Sequence, residues 1–482
     1  MTSKKFKSIV ILGGGTSGLV SALILKKTFN DFNITVIKSD ALGIIGVGEG
    51  STEHWKLFMN FCNITNEELI KETDATLKYG ILFENWTKHK YFHNITYEMA
   101  DTKCGQYLSG FAYSIINNLS PKEYTTSGCF HNKISVEAFP LQYHFNNFKL
   151  NTFLLKKCKL NNINIIDDEI KKVNVKNNNI NSIEGQKKKY KFDFYIDCSG
   201  FKKILISKLG TKWISYSKHL PMNEAIAFPT PDTDEYPPYT LSRAMSAGWL
   251  WRIPTNGRWG NGYVFNNRYI DAKQAQKECE DYLGYKIDIF KNIKFEAGTL
   301  DESWKGNCAA IGLSSSFVEP LEASSLATTL NQIFLLTHLL PNYTKEDVDL
   351  YNKKYKKIVE NIRDFIVMHY LVKKKDSKFW KELKLVLPET LKTNLNKWKH
   401  RLPIAEDFAG NYLPFSNLNI TCVLKELNLV NKNYIKNQYN SLSKEFKDYT
   451  ERNMKAAIQY YTNINAPHYI SHKEYLQKIK NK

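Results

Sequence analysis

The sequence predicts an α/β protein with a parallel β-sheet, an antiparallel β layer above it and a helical C-terminal cap. Three observations support this fold class. A β-branched run at residues 8–12 leads directly into a glycine-rich loop, residues 213 to about 270 carry the turn signals of antiparallel strands, and lysine-rich helical spacing begins at residue 341. We therefore divide the chain into residues 1–340 and a cap of residues 341–482.

The first strand and the loop after it predict a dinucleotide site. Ser8–Leu12 is typical of a buried parallel strand, and helical spacing runs from Leu19 to about Thr28. Between them lies Gly13-Gly14-Gly15-Thr16-Ser17-Gly18, a G-x-G-x-x-G pattern. In such loops the first glycine permits a tight turn, the second lets the backbone approach a pyrophosphate, and the third allows close packing. The phosphates would lie at the helix N-terminus, as in Rossmann-like folds.

The second predicted strand is Asn33–Ile37, after which dinucleotide sites usually place an acidic residue that binds the adenosine ribose. Lys38 stands there instead, followed by Ser39 and Asp40. We expect Ser39 or Asp40 to make this contact. The missing acid does not indicate NADP, because the sequence offers no nicotinamide site.

Two later segments each have an ordinary and a functional interpretation. Residues 46–52, Gly-Val-Gly-Glu-Gly-Ser-Thr, form either a glycine turn or a backbone stretch that lies against a flat ligand. Lys78 belongs to a predicted pair of aromatic strands, Ala75–Ile81 and Phe83–Trp86. A lysine among apolar neighbours usually keeps its charged end in water.

Trp249 and Trp251 are one residue apart in the segment Gly248–Pro254, so they face the same side of an extended strand. Pro254 lacks an N–H donor and is expected to end that strand. The two rings then form either part of an aromatic core or a rigid wall of a site.

The segment Phe317–Leu326 joins a late strand, predicted within Asn307–Ser316, to a long helix that runs from Leu326 to about residue 340. Pro320 fixes the turn. Free N–H groups and the dipole at a helix N-terminus favour anions, so the turn predicts an anion site. Glu322 is then either a partner of the dipole or a functional carboxylate.

The composition of the chain disfavours several classes of protein. A formal net charge of +19 invites a nucleic-acid interpretation, but the lysines are spread along the chain, which favours solvated faces. The eight cysteines include no C-x-x-C pair, and we expect neither a metal site nor disulfides. We expect no signal peptide and no membrane span, and therefore a cytoplasmic protein.

Four motifs occur together: the glycine loop, Gly-Val-Gly-Glu, W-x-W-x-I-P at residues 249–254 and E-P-L-E at residues 319–322. With K-x-G-I-x-F-x-N-W at residues 78–86, they resemble the flavin-dependent halogenases, the tryptophan-halogenase type in particular. The resemblance runs from Ile9 to about Trp380 and implies the FAD-binding, Rossmann-like fold of flavoprotein monooxygenases. The FAD contacts that it implies are Gly13, Gly15, Thr16, Ser17, Gly18, Ser39, Gly46, Val47, Gly48, Glu49, Leu313 and Leu326.

The resemblance also implies the chemistry. Reduced FAD from a separate flavin reductase, with oxygen, oxidises chloride, bromide or iodide, while Trp249 and Trp251 keep the organic substrate away from the flavin. Halide is held by the backbone N–H groups of Ser324 and Ser325. Hypohalous acid moves to Lys78, which activates it by hydrogen bonding or as a haloamine. Glu322 stabilises or deprotonates the attacked ring.

The halide turn departs from the family pattern E-P-L-E-S-T-G, because this chain has Ala323, Ser324 and Ser325 in the last three places. The Cβ of Ser325 disfavours a positive φ, where a glycine would be free to adopt it. We therefore expect an altered loop, and better use of bromide or iodide than of chloride.

The expected substrate is an electron-rich aromatic compound, indole-like or phenol-like. Free tryptophan is disfavoured, because residues 403–422 lack the family's aromatic-acidic cluster and keep only Asp407, Tyr412 and Phe415. Two alternatives stay open. One is a flavin-dependent aromatic hydroxylase, and the other is a basic nucleic-acid-binding protein with an unused flavin fold, whose affinity would fall steeply with salt. A homo-oligomer is compatible with all three.

Overall fold

The computed structural model describes residues 7–44, 49–94, 106–124, 127–137, 142–408, 410 and 413–481. The strands are β1 (Ser8–Leu12), β2 (Asn33–Lys38), β3 (Glu49–Gly50), β4 (Thr76–Lys78), β5 (Gly80–Glu84), β6 (Tyr91–Asn94), β7 (Lys133–Ser135), β8 (Gln142–Phe145), β9 (Asn164–Asp167), β10 (Ile170–Lys176), β11 (Asn179–Gly185), β12 (Lys189–Tyr190), β13 (Phe194–Asp197), β14 (Trp213–Ser215), β15 (Glu224–Thr230), β16 (Thr240–Met245), β17 (Gly248–Thr255), β18 (Arg258–Phe265), β19 (Lys291–Lys294), β20 (Gly298–Leu300), β21 (Trp304–Lys305), β22 (Cys308–Ala310), β23 (Ser316–Phe317) and β24 (Tyr469–Ser471).

The α-helices are α1 (Thr16–Thr28), α2 (His54–Phe61), α3 (Asn66–Thr73), α4 (Gln106–Ile116), α5 (Pro121–Tyr124), α6 (Asn147–Leu160), α7 (Ala272–Leu283), α8 (Ser325–Leu339), α9 (Lys345–His369), α10 (Lys378–Glu382), α11 (Glu389–Trp398), α12 (Asn417–Glu426), α13 (Lys432–Asn440), α14 (Lys444–Thr462) and α15 (His472–Asn481). Short 3-10 helices include Gly312–Ser314 and Pro320–Glu322.

The parallel sheet has the strand order β21-β22-β13-β1-β2-β9, with β21 antiparallel at its edge. β1 lies between β2 and β13, and its residues Ile9, Val10 and Ile11 are fully buried, which explains the continuous apolar run. The chain goes from β1 to β2 on one side and returns at β13 on the other. The strand order therefore reverses at the carboxyl end of β1, which is where ligands bind in sheets of this kind. The predicted Rossmann-like α/β fold is confirmed.

The antiparallel layer has the order β19-β15-β18-β17-β16-β5-β6, with β5 parallel to β16. β17 was predicted to end at Pro254, but it continues to Thr255. Pro254 is opposite Trp259 of β18. On its other side the register with β16 already stops at Leu241 and Arg252, so the missing N–H of Pro254 costs no ladder hydrogen bond.

The strands around Lys78 are arranged differently from the prediction. β4, which ends at Lys78, pairs with β8, whereas β5 pairs with β16 and β6. The prediction that these two segments pair with each other is therefore wrong. The N–H of Tyr79, between them, donates to Pro238 O at 2.8 Å, so the chain passes from one sheet to the other at this residue.

The region after residue 340 is mostly helical, as predicted, but it also contains β24, which pairs with β7 through Ile470 and Ile134. Phe365 and Ile366 of α9 belong to the same apolar core as Ile9 of the parallel sheet. The division of the chain at residue 340 stays a prediction. Among the helices of the described ranges, none has the length and apolar character that a membrane crossing requires.

Candidate active site

A cavity of about 830 Å³ lies at the carboxyl ends of β1 and β2, within the size range of cofactor sites. One end is lined by the glycine loop and by residues 38–40 at the carboxyl end of β2. The other end is lined by the antiparallel layer, including Trp249 and Trp251. The cavity thus connects the predicted dinucleotide loop to the predicted tryptophan wall.

The glycine loop fits a pyrophosphate. No side chain caps α1 at Gly15, and a Cβ added to Gly15 would meet no atom within 4 Å, because this position faces the cavity. Free N–H groups and the helix dipole therefore point at open space. A Cβ at Gly13 would lie 2.2 Å from Cys198 O, and one at Gly18 would lie 2.0 Å from Gly13 O. Gly13 and Gly18 are thus required by packing. Thr16 and Ser17 also line the cavity.

The adenosine end of the cavity differs from the usual acidic arrangement. Lys38 lies across Gly14, and its ammonium donates to the carboxylate of Asp40. Ser39 and Asp40 both line the cavity, which keeps either available for a ribose hydroxyl. On α6, Asn151 donates from Nδ2 to Gly14 O at 2.7 Å and supports the loop. No sequence signal pointed to Asn151.

The end of the cavity lined by Trp249 and Trp251 combines aromatic walls with an unpartnered hydroxyl. The rings of Trp249 and Trp251 lie 6.1 Å apart on the same face of β17, as predicted. Ser242 of β16 lines the cavity and is buried, and its Oγ has no hydrogen-bond partner within the described part of the chain. A polar edge of a bound cofactor would satisfy this hydroxyl. Leu313 lines the cavity, whereas Leu326 is buried in the core away from its wall.

Lys78 is fully buried at the end of β4. Its Nζ donates to Ser51 O at 2.9 Å. Burial lowers the pKa of Lys78 from 10.5 to about 8, although Glu322 and Glu53 oppose this shift by attraction. A lysine with this pKa is present in both the protonated and the neutral form near neutral pH.

Glu322, also fully buried, ends the 3-10 helix Pro320–Glu322 and lies between two histidines. Its Oε2 is 2.8 Å from His93 Nδ1 and its Oε1 is 2.8 Å from His369 Nε2. Burial alone would raise the pKa of Glu322, but the histidines outweigh it and lower the pKa to about 2. The histidines were not predicted as partners, because they come from β6 and α9 and share no sequence pattern with Glu322.

The turn before α8 has its positive φ at Ala323, two residues before Ser325. Ala323 has a φ of 52°, whereas Ser324 has a φ of −77° and Ser325 begins α8 with a negative φ. The negative φ of Ser325 agrees with the expectation that its Cβ disfavours a positive φ, and the consequence for halide use stays a prediction. Ser324 is buried, and Ser325 lines the cavity. No side chain caps α8, so its first N–H groups are available to an anion.

Part of the predicted flavin segment cannot be placed. Gly46, Val47 and Gly48 lie outside the described residues, as does Tyr412. Glu49 and Gly50 form β3, which pairs with β8 at Phe145 and His144. Gly50 lines the cavity.

Comparison with known proteins agrees with this geometry. The model of the tryptophan halogenase family matches residues 8–441. The tryptophan 6-halogenase SttH of Streptomyces toxytricini is 29% identical over 459 residues, which cover 86% of this chain and 87% of the relative. The tryptophan 7-halogenase RebH of Lentzea aerocolonigenes is 28% identical over 488 residues, which cover 89% of this chain and 91% of the relative.

Solved structures show the same fold. A tryptophan halogenase of Shewanella frigidimarina superposes with a TM-score of 0.91 at 23% identity, covering 100% of this chain and 99% of the other. Tar14, a tryptophan C-6 flavin-dependent halogenase (chlorinase) from taromycin biosynthesis, superposes with a TM-score of 0.89 at 25% identity, covering 98% of this chain and 100% of the other.

Proposed function

The chain belongs to the tryptophan halogenase family, and from that premise we propose that it is an FADH2-dependent enzyme that transfers halogen to an electron-rich aromatic substrate through Lys78. The observation that carries the proposal is the pair of fully buried groups, Lys78 and Glu322, behind the cofactor cavity. A cation and a carboxylate at one buried centre can hold a reagent at one atom and accept a proton at another.

FAD would be held by the N-terminus of α1 at Gly15, by Ser39 or Asp40 at the ribose, and by the walls that carry Ser242 and Trp249. When bound, reduced FAD supplies two electrons that, with two from the halide, reduce O2 to water and hypohalous acid. We assign the supply of reduced FAD to a separate flavin reductase. Trp249 and Trp251 line the flavin end of the cavity and are proposed to keep an organic substrate away from the flavin.

Halogen transfer is proposed to proceed at Lys78. The ammonium donates a hydrogen bond to hypohalous acid, or the neutral amine takes the halogen as a haloamine. The pKa of about 8 supports both routes. In either route a carbon–halogen bond forms on the ring, the bond from halogen to oxygen or nitrogen breaks, and the ring proton leaves.

Glu322 is proposed to accept that proton. Its lowered pKa keeps it ionised at neutral pH, and it lies close enough to Lys78 to oppose the downward shift of the lysine pKa. A carboxylate here stabilises the positive charge of the attacked ring before it takes the proton.

The substrate is proposed to be an indole-like or phenol-like ring other than free tryptophan. Asp407 is bound by Arg401 and by Trp398 Nε1 at 2.9 Å, so its carboxylate is engaged within the protein. Phe415 is buried against Phe365, with ring centroids 4.2 Å apart. Neither side chain is therefore available to bind the amino-acid group of free tryptophan.

The experiment is a mass-spectrometric screen of indoles, phenols and tryptophan with reductase, FAD, NADH and one halide at a time. The expected result is a product heavier by one halogen minus one hydrogen, absent without halide and absent with Lys78→Met. Hydroxylated product without halogen would instead make the chain a hydroxylase. A wild-type enzyme that binds FAD but modifies none of these arenes would contradict the proposal.

A further inference from the structure

Gly50 stands between the cofactor cavity and the buried lysine. It lines the cavity, and a Cβ built on it would lie 3.6 Å from Lys78 Nζ. The same Cβ would lie 3.3 Å from Ala323 Cβ and 3.8 Å from His144 Cδ2. The space next to Gly50 is therefore about the size of one methyl group, with Lys78 at its far side.

Ala323 forms the opposite edge of this space. It also lines the cavity, and it follows Glu322 directly in the chain. Its φ of 52° is a conformation that glycine adopts readily and alanine rarely does. The methyl group of Ala323 is thus retained at a backbone position where its absence would relieve strain.

Larger side chains line the cavity wall beside this point, among them Ile81, Thr240 and Leu321. Thr240 is held by a hydrogen bond from its Oγ1 to His144 Nε2 at 2.9 Å, so it does not swing aside freely. Among the described lining residues near Lys78, Gly50 and Ala323 are therefore the ones with no side chain beyond a Cβ.

We propose that Gly50 and Ala323 form a size-selective opening through which hypohalous acid reaches Lys78, and that its width admits the larger halogens. The proposal rests on the proposed function and adds the residues that decide which halide is used. A Cβ at residue 50 would lie 3.3 Å from the methyl group of Ala323, slightly closer than an ordinary van der Waals contact, and would close the gap. Without it, the gap accommodates an atom of about the size of a methyl group, such as bromine.

Two substitutions change the opening in opposite directions. Gly50→Ala narrows it and Ala323→Gly widens it, and the second also relieves the positive φ. Ala272→Gly, in α7 and away from the cavity, is the matched control for loss of a methyl group. The readouts are the ratio of brominated to chlorinated product at equal bromide and chloride, the FAD affinity, and the halide-dependent rate of flavin reoxidation.

In Gly50→Ala we expect the bromine-to-chlorine ratio to fall about fivefold, and FAD affinity and flavin reoxidation measured on the same variant separate this effect from a change in cofactor binding. In Ala323→Gly we expect the ratio to rise and iodinated product to increase. Ratios equal to wild type in both variants would overturn the proposal. If Gly50→Ala loses FAD or unfolds, the proposal is tested by Ala323→Gly alone. An unchanged ratio of brominated to chlorinated product in that variant would then overturn it. A wild-type enzyme that makes no halogenated product would instead contradict the proposed function.

Discussion

Glu322 Oε2 lies 2.8 Å from His93 Nδ1, and both side chains are fully buried. Asn419 Nδ2 lies 3.2 Å from His93 Nε2, which leaves the proton on Nδ1 for the carboxylate. His93 comes from the antiparallel layer and Asn419 from the C-terminal helices. The carboxylate is thus fixed in position and held ionised by groups from distant parts of the chain, which suits its proposed role as a proton acceptor.

The first prediction concerns the charge of this carboxylate. Glu322→Gln keeps the size of the side chain but removes the negative charge that lies near Lys78. We expect halogenated product to form about 100-fold more slowly, the lower end of the usual contribution of a general base. FAD titration is expected to match wild type, because Glu322 does not line the cavity. Product formation within twofold of wild type would remove Glu322 from proton transfer.

The second prediction follows from the lowered pKa of Lys78, which falls from 10.5 in the unfolded chain to about 8 in the fold. Between these values the folded protein binds fewer protons than the unfolded chain, so the free energy of unfolding rises with pH. Lys78→Met removes the titrating group and with it this dependence of stability on pH. The variant is expected to be more stable than wild type at pH 7, by up to about 3 kcal/mol, and to lose this advantage between pH 8 and 10.5.

Urea unfolding of both proteins across pH 7–10.5 measures this difference, and other titrating groups cancel in it. A constant difference over this range would mean that Lys78 keeps an ordinary pKa.

Local patterns predicted the fold class and several of the residues that line the cavity beside β1. The apolar run of β1, the spacing of the glycines and the two tryptophans each depend on neighbours in sequence, and the structure has them as expected. The pairing of β4 with β8 was not predictable, because strand partners far apart in sequence are chosen by the packing of the whole layer. Periodicity alone favoured β5 as the partner of β4.

The surroundings of the catalytic candidates were also beyond sequence reasoning. His93 and His369 reach Glu322 from strand and helix positions 276 residues apart, a separation read from their numbering. The positive φ of Ala323 was not predicted, because the departure from the family pattern drew attention to Ser325 instead. A sequence shows which residue types are present, whereas the φ of a single turn residue depends on how the turn is closed.

The third prediction separates the roles of the loop glycines. Gly15 has space for a larger side chain in the protein itself, so Gly15→Val is expected to fold, with a loss of about 1 kcal/mol at the helix start. Its branched side chain occupies the place of the pyrophosphate, and we expect FAD affinity to fall at least about 100-fold. Thermal unfolding and flavin fluorescence titration measure the two effects.

Gly18→Ala is the comparison, because its Cβ would lie 2.0 Å from Gly13 O. In Gly18→Ala we expect the main loss to be in the free energy of unfolding, whereas in Gly15→Val we expect it to be in FAD affinity. If Gly15→Val bound FAD like wild type, the loop would not be the phosphate site.

The last prediction concerns Glu319, the first residue of the E-P-L-E motif, whose carboxylate is fully buried beside the tryptophan wall. It accepts a hydrogen bond from the Tyr370 hydroxyl, and one from Met222 N at 3.2 Å. Burial outweighs these bonds and raises the pKa of Glu319 from 4.5 to about 7. Between these pH values the folded protein binds more protons than the unfolded chain, so this residue's contribution to stability is lost as the pH rises through 7.

Glu319→Gln stays neutral at every pH, and its amide oxygen can keep the bond from Met222 N. Its amide nitrogen can donate to the Tyr370 hydroxyl, which reverses the direction of the second bond. Relative to wild type, the variant is therefore expected to gain stability as the pH rises from 5 to 8, by up to about 3 kcal/mol. Urea unfolding at pH 5, 6, 7 and 8 gives this difference, and tryptophan fluorescence reports whether the wall beside Glu319 is intact. If the difference is the same at all four values, Glu319 is ionised throughout, and its hydrogen bonds rather than its burial determine its protonation.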